Sequence, residues 1–288
     1  MTRTRGGIAV ITFNDVPAVN HSFKYEVLGV MAIENRRRYC ERHGYDFIWD
    51  TTIARDRPAC WAKIPAILEA FETHDWVLWA DSDTLIFEPD LPIETFCDPA
   101  YELIVQSHEE FLRSVGIPLE AGLARMPINT GVFLIRRSDW SRAFLSKAYR
   151  QTRFVTQGAV WDGIGEQEAM IALLHQSPAD LGRIKYVRGL QNHPRFYRPG
   201  DLFVHFYGNH AQQRIPIADC CEVLERWREA VLRGGPLPSD LARFHWCCIQ
   251  NKRWGAPTVR GDLSHFLYQI DDICGPGPPA ALTGGRAC

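Results

Sequence analysis

The segment at residues 76–80, WVLWA, constrains the fold of this 288-residue chain more than any other. Five consecutive apolar residues without alternation indicate a strand that is covered on both faces, as at the centre of a sheet with helices on either side. Directly after this strand come Asp81, Ser82 and Asp83. Ligands of open α/β sheets bind beyond the carboxyl ends of the strands. The sequence therefore predicts a central strand that delivers two carboxylates to a ligand site.

Alternating strand and helix patterns surround this segment. Strands are predicted at residues 8–13, 45–49, 101–105, 130–135, 183–187 and 202–206, and helices at 21–43, 61–74, 138–150 and 165–175. This order is typical of an α/β fold with a doubly wound, mostly parallel sheet. Beyond about residue 212 the strand patterns fade. We therefore predict one domain over residues 1–212 and a helical extension with a Pro/Gly-rich tail over 213–288.

Composition excludes several classes of protein. The formal charge of −2 gives no global basic field for nucleic acid. No run approaches the roughly 18 apolar residues of a membrane span, so no integral membrane segment and a cytoplasmic location are predicted. The nine cysteines show no CxxC spacing, which favours reduced thiols. A zinc site or a disulfide remains the alternative for the C-terminal region. That region is also a candidate for ligand specificity or a homo-oligomer contact.

The two carboxylates after the central strand are typical of a site for a hard divalent cation, Mn²⁺ or Mg²⁺. Such an ion stabilises negative charge on a departing diphosphate. This chemistry fits the transfer of a sugar from a nucleotide-sugar donor. The alternative is structural, with Asp81 capping a turn and Asp83 solvated.

Six segments, in this order, resemble glycosyltransferase family 34, which includes plant xyloglucan xylosyltransferases and yeast α-galactosyl- and α-mannosyltransferases. They are YCERHGYDFIW, CWAKIPAILEAF, WVLWADSDTLIF, INTGVFLIRRSDW, GEQEAMIALL and FVHFYGNH. The resemblance implies a GT-A fold, a Rossmann-like nucleotide-sugar-binding fold. It also implies a Mn²⁺-dependent transferase that retains anomeric configuration and forms α-linked products. The expected donor is a UDP-hexose or UDP-pentose, with GDP-mannose less favoured, and the expected acceptor is a hydroxyl of a glycan or small molecule.

The resemblance also implies roles for individual residues. His205 would join Asp81 and Asp83 as a metal ligand, and Glu166 and Gln167 would be catalytic. The residues expected to bind the donor are Thr12, Lys63, Asp81, Ser82, Asn129, Gly208 and His210. The alternatives are structural: a plain strand residue at Thr12, a solvated lysine at the helix start, and a strand-end histidine at His205.

Two departures from the family pattern concern the sugar side of the site. The family's Asp-Asp-Gln reads Gly165-Glu166-Gln167 here, and His210 replaces a phosphate-contacting lysine. A covalent glycosyl-enzyme intermediate would require a carboxylate behind the anomeric carbon, and Glu166 is the candidate at that position. We favour a front-face reaction, in which the leaving phosphate accepts the acceptor's proton and Gln167 stabilises the anomeric region.

Two other functions remain open at this stage. A sugar nucleotidyltransferase shares the sheet and the metal carboxylates, but usually has a Gly-rich phosphate loop after the first strand, where this chain reads ITFNDVP. A catalytically silent carbohydrate-binding protein would not need Asp81, Asp83 and His205 together.

Overall fold

The computed structural model describes residues 7–13, 23–50, 56–114, 116–155, 165–193 and 196–205. In chain order, the strands and α-helices are β1 (Ile8–Phe13), α1 (Phe23–His43), β2 (Asp46–Asp50), α2 (Lys63–Ala70), β3 (Trp76–Ala80), β4 (Thr84–Ile86), β5 (Leu103–Gln106), α3 (Glu109–Ser114), α4 (Leu119–Arg125), β6 (Val132–Arg136), α5 (Asp139–Tyr149), α6 (Glu166–Gln176), β7 (Ile184–Val187), β8 (Gln191–Asn192) and β9 (Phe203–His205).

Six of these strands form the main sheet, in the order β2-β1-β3-β6-β5-β7. β1 pairs in parallel with β2 and β3, and β5 pairs in parallel with β7. β6 runs antiparallel between β3 and β5. The predicted fold class, an α/β fold with a doubly wound, mostly parallel sheet, is confirmed. The WVLWA strand has a neighbour on either side, as its uninterrupted apolar run predicted.

The core has two layers, one on each face of the sheet. Val77 and Trp79 of β3 belong to the layer that includes residues of α2, α5 and α6. Leu78 and Ala80 belong to the opposite layer, which includes Tyr39 of α1 and residues of the second sheet. Successive side chains of a strand point to opposite faces, so a strand buried in both layers must be apolar throughout.

A second sheet of three strands, in the order β4-β9-β8, lies beside the carboxyl edge of β3. β4 and β9 are antiparallel, with Thr84 opposite His205. This pairing places His205 next to the turn that contains Asp81 and Asp83. The small sheet was not predicted, because its shortest strands have two and three residues and carry no periodic pattern.

The structure differs from the prediction at one predicted helix and at two helices that were not predicted. The helix predicted at residues 61–74 begins as a 3₁₀ turn, Ala59–Ala62, and its α-helical part is α2. Pro65 lies within the first turn of α2, where a missing N–H is tolerated. α3 and α4 were not predicted.

Among the described residues, no helix is long and apolar enough to cross a membrane.

Part of the predicted organisation lies outside the described residues. This applies to the extension at 213–288, to the boundary near residue 212, and to Gly208 and His210. Their roles remain predictions.

Candidate active site

Asp81, Asp83 and His205 come together at the carboxyl end of β3. Each offers one ligand atom, and these atoms lie within 4.8 Å of one another. Nε2 of His205 is 3.3 Å from Oδ1 of Asp83, and both side chains are buried. Two carboxylates and an imidazole are a ligand set that suits Mn²⁺. The ligand atoms of these residues therefore fit the predicted ion.

Gly131, the residue before β6, makes room for His205. A Cβ atom at this position would lie 2.0 Å from Cε1 of His205, much closer than non-bonded carbons approach. The carbonyl oxygen of Gly131 also accepts a hydrogen bond from the backbone N–H of Asp81, at 2.7 Å. Glycine here thus permits the imidazole to lie against the backbone just before β6, which is itself hydrogen-bonded to Asp81.

Gln191 orients the imidazole of His205. The amide nitrogen of Gln191 donates to Oδ1 of Asn129 (3.2 Å) and to the carbonyl of Val132 (3.1 Å), so its oxygen faces Nδ1 of His205, at 2.9 Å. A hydrogen on Nδ1 satisfies this contact and leaves the lone pair on Nε2. Metal-binding histidines usually have such an outer partner.

Lys63 is buried between two carboxylates. Its Nζ lies 3.2 Å from Oδ1 of Asp81 and 2.6 Å from Oε1 of Glu166, and it donates to the carbonyl of Thr130 at 3.0 Å. Burial lowers the pKa of Lys63, but Asp81 and Glu166 raise it by more, so the pKa lies above that of free lysine. The alternative of a solvated lysine is wrong, because the side chain is only 3% exposed.

Glu166 and Gln167 begin α6 and both contact Thr130. Oε1 of Glu166 accepts from the Thr130 hydroxyl at 3.1 Å, and Oε1 of Gln167 accepts from the Thr130 backbone N–H at 2.9 Å. Glu166 is buried, whereas Gln167 is half-buried. Burial, reinforced by the adjacent Glu166, raises the pKa of the Cys60 thiol. Glu166 is therefore engaged with Lys63, Thr130 and Cys60.

The remaining predicted donor contacts differ in their surroundings. Thr12 has no exposed surface, and its hydroxyl accepts from Nη1 of Arg36 at 3.0 Å. Ser82 is half-buried within the aspartate turn. Oδ1 of Asn129 accepts from the N–H of Gly131 at 2.9 Å as well as from Gln191, so it is occupied within the protein.

Sequence reasoning missed three residues that support this site: Arg36, Trp79 and Gln191. The indole N–H of Trp79 donates to Oδ1 of Asp81 at 2.7 Å. The signal for Arg36 was its position three residues after Ile33 and four before Cys40, on the buried side of α1. No local pattern pointed to Gln191.

Part of the chain is similar to known glycosyltransferases. Residues 7–111 match the model of the galactosyl transferase GMA12/MNN10 family. The probable glycosyltransferase 6 of Oryza sativa subsp. indica is 26% identical over 174 residues, which cover 54% of this chain and 34% of that protein. Galactomannan galactosyltransferase 1 of Cyamopsis tetragonoloba is 30% identical over 118 residues, 39% of this chain and 25% of that protein.

An uncharacterized α-1,2-galactosyltransferase of Schizosaccharomyces pombe is 29% identical over 216 residues, 61% of this chain and 55% of that protein. Among solved structures, a glycosyltransferase involved in the glycosylation of the major capsid of PBCV-1 has 20% identity and a TM-score of 0.48, covering 72% of this chain and 97% of that one. The chain spans less than two thirds of each of the three sequence relatives. The family match confirms the resemblance inferred from the motifs over residues 7–111.

Proposed function

We propose, from the premise that residues 7–111 match glycosyltransferase family 34, that this chain is a metal-dependent glycosyltransferase. In this proposal it transfers a sugar from a nucleotide-sugar donor, a UDP-hexose or UDP-pentose, to a hydroxyl of a glycan or small molecule. The product is an α-glycoside, formed with retention of anomeric configuration. A cytoplasmic location stays a prediction.

One observation supports the proposal above all others. The candidate ligand atoms of Asp81, Asp83 and His205 lie within 4.8 Å of one another at the carboxyl end of a central strand. A catalytically silent sugar-binding protein has no need for this set. When bound there, Mn²⁺ would act as a Lewis acid for charge on the departing diphosphate.

Lys63 supplies a second positive charge to the same region. Its Nζ contacts Asp81 and Glu166. A cation fixed in a buried position needs no reorganisation as negative charge develops nearby, which is the basis of electrostatic stabilisation in active sites. We propose that Lys63 holds Asp81 in place and adds its field at the diphosphate.

We propose a front-face reaction, with Gln167 beside the anomeric carbon. The bond from that carbon to the phosphate oxygen breaks as the acceptor oxygen bonds on the same face, and the acceptor's proton passes to the departing phosphate oxygen. The contacts of Glu166 with Lys63 and Thr130, both made by Oε1, support a positioning role for this buried carboxylate rather than a nucleophilic one. Glu166 then serves to fix Lys63.

A donor panel tests the proposal. The protein is incubated with UDP-glucose, UDP-galactose, UDP-xylose or GDP-mannose, with simple sugar acceptors, in Mn²⁺ or in excess EDTA, and nucleotide release is recorded. We expect release from at least one UDP-sugar in Mn²⁺ only, and an α-anomeric signal in the product's NMR spectrum. The variant Asp83→Ala, checked for folding by circular dichroism, should release none.

Each part of the proposal has its own contradicting result. No release from any donor would overturn the transferase function. Equal release in EDTA, or an active Asp83→Ala protein, would overturn metal dependence at this site. A β-linked product from an α-linked donor would overturn retention.

A further inference from the structure

A buried arginine lies beneath the turn that contains both acidic ligands. Arg36, in α1, is 0% exposed and is one of the largest fully buried side chains among the described residues. A cation is costly to bury, and a buried ion or ion pair is often less favourable for stability than apolar residues of similar size. Its presence therefore calls for a role beyond filling the core.

The guanidinium of Arg36 binds both ends of the aspartate turn. Nη2 donates to the carbonyl of Asp81 (2.6 Å), to the carbonyl of Thr84 (3.0 Å) and to the Thr84 hydroxyl. That hydroxyl in turn contacts the Asp81 carbonyl at 2.8 Å. Nη1 donates to Thr12 of β1 at 3.0 Å. The guanidinium of Arg36 thus fixes the main chain of the turn at both Asp81 and Thr84.

The charge of Arg36 also bears on the two carboxylates. An arginine side chain is charged at neutral pH, so Arg36 places a positive charge beside the turn that contains Asp81 and Asp83. Its hydrogen bonds go to carbonyl and hydroxyl oxygens, which leaves its positive charge to offset the mutual repulsion of the aspartates.

We infer that Arg36 is a positioning residue for the metal site: it holds residues 81–84 so that Asp81 and Asp83 face His205 before an ion binds. The inference rests on the proposed metal-dependent function. Ligands held in place lose less conformational freedom on binding, which raises affinity. Nη2 binds the turn while Nη1 binds Thr12, so the planar guanidinium joins the turn to β1, and the single nitrogen of lysine does not reproduce this geometry.

Two substitutions test this role while keeping the positive charge. Arg36→Lys removes the fork, and Thr84→Val removes the hydroxyl that joins Arg36 to the turn. Arg37→Lys is the matched control, because Arg37 is the next residue of α1 and its exposed side chain pairs with Glu41. The affinity for Mn²⁺ alone is measured by electron paramagnetic resonance of the free ion. Thermal unfolding without metal reports the fold of each variant.

We expect Arg36→Lys to weaken Mn²⁺ binding about 10- to 100-fold, the usual cost of losing an outer partner of a metal ligand, and Arg37→Lys to bind as the wild type does. Thr84→Val should also weaken Mn²⁺ binding. It provides the test of the inference if Arg36→Lys does not fold. Lower thermal stability with unchanged Mn²⁺ affinity in the folded variants would overturn the inference. A wild type that binds no Mn²⁺ would instead overturn the metal site itself, and this inference with it.

Discussion

The distance between Gly131 and His205 sets a strict limit on residue size. A methyl group at Gly131 would lie 2.0 Å from Cε1 of the imidazole. Gly131→Ala should therefore lower the free energy of unfolding by about 1–3 kcal/mol, the usual cost of overpacking, and weaken Mn²⁺ binding by displacing His205. Urea unfolding and Mn²⁺ titration measure the two effects.

A second glycine provides the control for this substitution. A Cβ at Gly182 would have no heavy atom within 4 Å, and Gly182 does not have a positive φ. Gly182→Ala should leave both stability and Mn²⁺ binding close to the wild-type values. If the two variants behave alike, the close approach at Gly131 does not constrain the site.

The role of Glu166 can be decided by removing its carboxylate. In the front-face reaction that we propose, Glu166→Ala loses activity because Lys63 loses its 2.6 Å partner, and no small anion restores it. A covalent reaction would behave differently, since azide can occupy the space of a missing nucleophile and form a glycosyl azide of inverted configuration. The test is mass spectrometry and NMR of products formed with added azide. A β-glycosyl azide from an α-linked donor would contradict our proposal.

The start of α5 was predicted from its N-cap residue, Ser138. The hydroxyl of Ser138 accepts from the backbone N–H of Ser141 at 3.1 Å, and the helix buries Phe144 and Leu145 in the core. Ser138→Ala should lower the free energy of unfolding by about 1 kcal/mol, measured in urea. Ser138→Asp, which keeps an acceptor at the cap, should stay close to the wild type. Equal loss in both variants would show that the cap bond contributes little.

The elements predicted best are those whose pattern is local. β1 and β3 have the bounds expected from their apolar runs, Ile8–Phe13 and Trp76–Ala80. The antiparallel direction of β6 is not encoded in such a run, because alternation and apolarity are the same for either direction. β4 and β9 are short and pair across more than a hundred residues of sequence, so no local window contains their partner.

The candidate site was predicted where a side chain follows a recognisable strand. The motifs placed Asp81, Asp83 and His205 together, and the structure brings them together. Gln191 could not be predicted, since it reaches His205 through the pairing of β8 with β9. Arg36 was missed because a basic run in a helix normally indicates a solvated face, and its burial depends on contacts with β1 and β4.

The site places several charged side chains in the interior of the protein. Lys63 and Arg36 are buried with Asp83 and Glu166, and Lys63 forms an ion pair with Glu166. Removing one partner of a buried pair leaves an uncompensated charge, which typically costs about 3–5 kcal/mol. Stability and activity are therefore coupled at these positions. A loss of activity at these positions can therefore be interpreted only beside a measurement of folding.

We expect the stability of the protein to depend on pH through His108, which follows β5. Its Nε2 is buried without a hydrogen-bond partner among the described residues, and burial, with a smaller effect of His205, lowers its pKa to about 4. An unfolded chain has a histidine pKa of about 6.5. Between these values the unfolded chain binds a proton that the folded protein does not. Stability contributed by neutral His108 is therefore complete above about pH 6.5 and is lost as the pH falls toward 4.

Replacing His108 by Gln should remove this component. Between pH 7 and pH 5 the wild type should lose about 1–2 kcal/mol more unfolding free energy than His108→Gln, measured by urea denaturation at each pH. His175→Gln, which removes an exposed imidazole in the last turn of α6, should follow the wild type. The comparison is between slopes, so titration of the carboxylates common to all three proteins cancels. Parallel slopes for the wild type and His108→Gln would show that His108 is protonated as readily in the folded protein as in the unfolded chain.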